Sequence, residues 1–123
     1  QGEKLEKKLY SITSEGKQQL QEWLMKDEAL EPTPKDVFRL RMYFSDFMTP
    51  EQLKTQLSRQ LQKHLLKKKY LSDIMQGNHH NTAPVPGTPQ FGDFMVLEGA
   101  IMREESYIAW LENCIARCPQ EEA

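Results

Sequence analysis

Cys114 and Cys118 stand four residues apart, a spacing that places two thiols side by side on a helix. Paired thiols can form a disulfide, bind a metal or act as a redox couple. Helical geometry seldom gives good disulfide torsions, and no third or fourth ligand accompanies them. We read both as reduced thiols. His79 and His80 form a second candidate metal pair, but they lie in a polar stretch without Cys or carboxylate at ligand spacing, so we expect them to be solvent-exposed. Glu98, Glu104 and Glu105 could serve as general acids or di-metal ligands, yet no Glu-x-x-His pair goes with them and surface charge is the plainer reading. A basic cluster, HLLKKKYL at 64–71 with Arg59 and Lys63 nearby, could rest on a nucleic-acid backbone; a solvated helix face explains it equally well. No nucleophile–base pair, phosphate-cradling glycine loop or metal cluster emerges. The chain reads as no enzyme, with no cofactor and no metal.

The elements that carry these residues are mostly helical. Hydrophobic residues make up 38% of the 123 and charged residues 28%, which suits one soluble, strongly patterned domain. The formal charge of −2 excludes a surface that binds polyphosphate everywhere, so any nucleic-acid contact must be local. No run of about 18 apolar residues is present, and we expect no membrane contact and a cytoplasmic location. The chain starts at Gln rather than Met and shows no secretory core, so we expect a trimmed or partial polypeptide.

Residues 8–13, Lys-Leu-Tyr-Ser-Ile-Thr, alternate like a strand with Tyr10 and Ile12 on one face. Thr13 and Ser14 then offer caps for a first helix over 14–27, with Leu20, Trp23 and Leu24 as its apolar stripe and Gly16 marking a close approach in its first turn. Thr33 as cap and Pro34 as first residue predict a second helix, apolar almost all round from Val37 to Met48, which calls for burial on more than one side. Thr49, Pro50 and Gln52 spell a capping box for a third helix. That helix carries Leu53, Leu57, Leu61, Leu65, Leu71 and Ile74, spans roughly 40 Å at 1.5 Å per residue, and should end at Gly77. A Gly-, Pro- and Asn-rich loop follows, and the last helix should start near Gln90 or Phe91.

Along the last helix Phe94, Leu97, Ile101, Ile108, Leu111 and Ile115 recur at steps of three and four, broken only by Glu104. Two long helices joined by one loop predict an antiparallel hairpin. A carboxylate at position 104 of its seam needs a Lys or His partner, or must reach the hairpin edge. A second stripe, Met95, Gly99, Met102, Ser106, Trp110 and Cys114, cannot be covered by the same seam. We expect the second helix and another copy of the chain to cover it, in a symmetric homodimer. The candidate dimer interface is Met95, Met102, Ser106, Trp110 and Cys114, with Phe94, Ile101 and Ile108.

The segment KKLYSITSEG, 7–16, resembles the end of the wing in winged helix-turn-helix regulators of the PadR-like family. Lys8, Tyr10, Ile12, Thr13 and Gly16 fill that signature in order. KDVFRLRMYFSDFMTPEQL, 35–53, is similar to the start of that family's virulence-activator-type C-terminal domain, and LQEWL at 20–24 is also typical. The resemblance covers most of residues 8–65. It implies a bacterial transcription regulator, usually a repressor and sometimes a virulence activator, whose N-terminal winged helix binds an operator while its C-terminal helices dimerise. The three helices that precede the wing, including the recognition helix, do not match anything here. We therefore expect an all-α dimerisation and regulatory domain over 14–123, preceded by a residual wing strand over 1–13. Lys4, Lys7 and Lys8 would lie on that wing, where lysines meet phosphate or the minor groove. The resemblance also implies a small, flat aromatic effector, for which Trp23, Phe38 and Tyr107 are pocket candidates; ordinary core packing accounts for the same residues. A second reading is a helical adaptor that binds partner proteins through the Met-rich stripe and no nucleic acid.

Overall fold

The computed structural model describes residues 12–120, and the expected wing strand, with Lys4, Lys7 and Lys8, falls almost wholly outside them. The described residues form four α-helices and one 3-10 turn, and no strand. They divide into two compact units, one ending at Lys35 and the other starting at Asp36. The first unit carries α1, Ser14–Leu24. Its cap is Thr13, whose hydroxyl accepts the Gly16 N–H at 2.9 Å. The close approach at Gly16 is made by side chains: a Cβ there would meet Thr13 Oγ1 at 3.1 Å and Ile12 Cγ1 at 3.2 Å. The helix stops three residues short of the predicted end and buries nothing; Leu20, Trp23 and Leu24 are all exposed within it.

The second unit holds α2 (Val37–Tyr43), a 3-10 turn (Ser45–Phe47), α3 (Pro50–His79) and α4 (Pro89–Arg117). The cap of α2 is Asp36, not Thr33. A carboxylate at 36 accepts the Arg39 N–H at 3.1 Å and also pairs with the Arg39 side chain at 3.2 Å, two bonds that a threonine hydroxyl ahead of Pro34 would forgo. At α3 the capping box forms as the residues predict: Thr49 accepts from Gln52 N at 3.1 Å, and the Gln52 side chain accepts from Thr49 N at 3.0 Å. Helix α3 passes through Gly77 and ends with His80 in the left-handed region, its N–H returning to Gln76 O at 2.9 Å. Asn81 shares that left-handed backbone, which short amide side chains tolerate. Thr88 caps α4 by accepting the Phe91 N–H, and Pro89 enters the first turn.

Helices α3 and α4 pack against each other in opposite directions, as the pairings His64–Glu104 and His79–Asp93 show. Leu57 and Leu111, exposed by 2% and 0%, form the best-buried cluster together with Cys118. Burying each leucine contributes roughly 1.5–3 kcal/mol. The residues of α4 at the seam follow the predicted steps, with Phe94, Glu104, Ile108 and Leu111 buried. On α3 the seam differs from the predicted leucine row. Leu65 is 38% exposed, while Leu57, Leu61, His64, Lys68, Leu71 and Met75 alternate by four and three. Knobs-into-holes packing needs that alternation; a row of leucines four apart drifts round the helix away from its partner. Phe94 and Ile108, both expected at a surface between copies, are buried at this seam within a single chain.

Helix α2 is also different from expectation. Only Phe38 and Met42 are half-buried against the helical pair, while Val37, Leu40, Tyr43, Phe44 and Phe47 remain exposed by 46–84%. Within one chain it is covered on one side alone.

Candidate functional site

Charged and aromatic side chains meet midway along the α3–α4 seam. Glu104, 3% exposed, bonds His64 Nδ1 through one oxygen and lies 3.5 Å from Lys67 Nζ through the other. The heptad places residue 104 inside, so the carboxylate finds both of the partner types that its position demands. The far ring nitrogen of His64 lies 3.3 Å from the Gln60 side-chain nitrogen. The His64 ring itself stacks on Tyr107, with centroids 3.9 Å apart and planes 15° from parallel.

Tyr107 connects this cluster to α2. Its hydroxyl donates to Asp36 Oδ2 at 2.8 Å. Burial, then the bond to Asp36 and its negative charge, push the Tyr107 hydroxyl up to about 12. Burial works against the charged form of Asp36, yet the Arg39 backbone N–H, the Tyr107 hydroxyl and the Arg39 guanidinium together hold its carboxyl below the usual range. Trp110 meets Tyr107 edge-on at 5.3 Å and Phe38 edge-on at 6.1 Å. The Arg39 guanidinium covers both, 4.1 Å from the Trp110 ring and 4.8 Å from Tyr107. Beyond Trp110 a cavity of about 230 Å³ opens between the α2 region and the helical pair, lined by Met42, Ser45, Leu53, Leu57, Trp110, Cys114 and Arg117.

Of the predicted pocket residues, Phe38 and Tyr107 come together round Trp110, while Trp23 is 64% exposed on α1 in the other unit. None of the three lines the cavity. Of the predicted interface residues, Met95 and Met102 are exposed by 51% and 60%, Ser106 is exposed, and Ile101, Trp110 and Cys114 are half-buried. His79 is not the solvated residue its loop-like surroundings suggest: its side chain is 6% exposed, bonds Asp93 at 2.8 Å and meets Phe94 edge-on. Arg39 and Gln60 escaped the sequence reading, and His64 entered it only as part of a basic cluster rather than as the partner of Glu104. The signals for them were slender: an Asp three residues before an Arg at a helix start, and a seam carboxylate in need of a cation. Among the described residues no group of three metal-ligating side chains gathers, and no helix is long and apolar enough to cross a membrane.

The model of the family described as virulence activator alpha C-term matches residues 34–118. The chain belongs to that family. It is PadR-like throughout: it is 38% identical over 121 residues to the negative transcriptional regulator PadR of Bacillus subtilis strain 168, covering 94% of this chain and 64% of the relative. The crystal structure of B. subtilis PadR in complex with p-coumaric acid superposes with a TM-score of 0.84 at 30% identity, over 91% of this chain and 64% of that one. For the complex of the same protein with operator DNA the TM-score is 0.81, also at 30% identity, over 89% and 61%. This chain thus spans about two thirds of the length of the PadR proteins it matches, just under that share in each case.

Proposed function

We propose that this chain is the dimerisation and regulatory portion of a PadR-like DNA-binding transcription regulator. The carrying observation is the match to PadR across both units, joined to an apolar surface that one chain leaves uncovered. Leu40, Tyr43, Phe44 and Phe47 near α2, and Met95, Val96 and Met102 on α4, are all at least half exposed. So much exposed apolar surface, in two groups, suits a second copy better than water. In this reading two copies pair through α2 and α4, and the paired rods hold two winged helices at the spacing of operator half-sites, about one turn of DNA apart. Lys4, Lys7 and Lys8 would approach phosphates from the wing. The relative crystallised with operator DNA and with p-coumaric acid supports a regulator answering to a small aromatic acid.

Carried together with a winged-helix domain ahead of residue 1, the chain is expected to bind palindromic DNA with an affinity that falls steeply as salt rises. Fluorescence anisotropy on a panel of palindromes measures this. Equal affinity for all sequences, or none for any, would sink the regulator reading.

A further inference from the structure

Two cysteines four apart inside a helix seldom reach disulfide geometry, but Cys118 is no longer inside one. Helix α4 ends at Arg117, and Cys118 follows it with extended backbone, at φ −70° and ψ 147°. Four residues of helix advance the chain by about 6 Å, within the roughly 4.4–6.8 Å that separates bridged Cα atoms. The Cys118 thiol turns back along the helix and donates to the Cys114 carbonyl oxygen at 3.5 Å. Both side chains pack on one apolar cluster, with Leu57 and Leu111. Their access to solvent differs. Cys114 is half-buried and lines the open cavity beside Trp110, with Arg117 in the same wall, whereas Cys118 is 6% exposed. One thiol is placed to meet a small reagent, and the other waits behind it.

We propose that Cys114 and Cys118 form a reversible disulfide within one chain when a small hydroperoxide enters that cavity. The Cys114 thiolate, its proton released to solvent, attacks one peroxide oxygen. The O–O bond breaks, hydroxide departs and takes up a proton to become water, and Cys114 is left as a sulfenic acid. Arg117, exposed in the same wall, offers N–H donors to the departing oxygen. Cys118 then gives up its proton, and its sulfur attacks the Cys114 sulfur. The S–S bond forms, the S–O bond breaks and a second water leaves. The two thiols lose two electrons and the peroxide gains them; a dithiol reverses the bridge by exchange. Cys118 can make this move because end-of-helix bonds hold it rather than a helical ladder. Its N–H donates to Ile115 O at 3.0 Å, and its carbonyl accepts from the Gln120 side chain at 2.9 Å. Bridging draws its sulfur away from Leu57 and Leu111, so the end of the hairpin where those leucines meet loosens. The chain has two cysteines, so a bridge within it has no other pairing.

Intact-mass measurement of the full chain after treatment with hydrogen peroxide tests this. The mass should fall by two hydrogens, both thiols should vanish from a thiol titration, and a peptide map should join 114 to 118. Dithiothreitol should restore the starting material. Cys118→Ala, with far-UV circular dichroism as a check on folding, should stop the reaction at the sulfenic acid of Cys114, read as a dimedone adduct. Cys114→Ala should slow oxidation of the remaining thiol roughly tenfold or more, because Cys118 is sealed from the reagent. The oxidised parent should unfold at a lower urea concentration than the reduced one. Thiols that survive a large excess of peroxide overturn the proposal, as does bridging only between copies, seen as a covalent dimer on a non-reducing gel. Equal oxidation rates for Cys114→Ala and Cys118→Ala overturn the assigned order of attack, and an unchanged urea midpoint overturns the loosening.

Discussion

Between α3 and α4 the same heptad spacing is filled by apolar residues towards one end, where Leu57, Leu111 and Cys118 meet, and by Glu104 and His64 nearer the middle, with Lys67 reaching Glu104 from the exposed edge. Both stretches are satisfied, since no buried side-chain polar atom among the described residues lacks a partner. They hold by different physics. The leucine end gains free energy in proportion to area removed from water, and each residue contributes almost independently. The ionic middle gains little overall, because desolvation offsets attraction; its members depend on one another, and removing one strands the rest. What the charged stretch adds is register. A leucine seam tolerates a slip of one heptad, whereas a lone carboxylate has its His and Lys at only one alignment.

The largest test of that contrast is Leu111→Ala, which should cost about 3 kcal/mol in urea unfolding, since the site is sealed and the void persists. His64→Ala should cost about 2 kcal/mol; Glu104 would be left buried with Lys67 alone, itself largely exposed. The double replacement of His64→Leu and Glu104→Leu should return to within about 1 kcal/mol of the parent or exceed it. A double variant as unstable as His64→Ala would show that the ionic stretch stabilises like the leucines and erase the distinction. The smallest effect sharpens the picture at the edge of the ionic stretch. Tyr107 is held up to about 12 from an ordinary 10.0, so its neutral form belongs to the folded state. Its contribution is complete below about pH 10 and is lost as pH rises towards 12, because the unfolded chain sheds the proton first. Tyr107→Phe should remove about 1 kcal/mol at neutral pH and flatten that alkaline decline, read by denaturant titrations at stepped pH.

Much of this architecture was legible. The capping box at Thr49 and Gln52 is a local pattern closed by residues three apart, so neighbours alone determine it. The seam of α4 was legible for a similar reason: its apolar residues already alternate by three and four, which made Glu104 conspicuous and its need for Lys or His deducible. The seam of α3 was not. Leu53, Leu57, Leu61 and Leu65 form a tidier apolar row than the one used, and the partner helix, with its 4–3 alternation and Glu104 facing residue 64, turns His64 inward and Leu65 outward. The surroundings of His79 misled in the same way, because Asp93, which buries it, lies across the loop.

The sequence by itself determined the caps at Thr13 and Thr49, which face of α4 is sealed and that more apolar surface exists than a single chain hides, since each depends on periodicity and on bonds between near neighbours. Only the tertiary structure decided which residues of α3 answer α4, that Asp36 rather than Thr33 opens α2, and that Tyr107 of α4 binds Asp36 across the two. Those outcomes turn on groups distant in the chain, whose charges and volumes must match in space, and no local pattern records such a match.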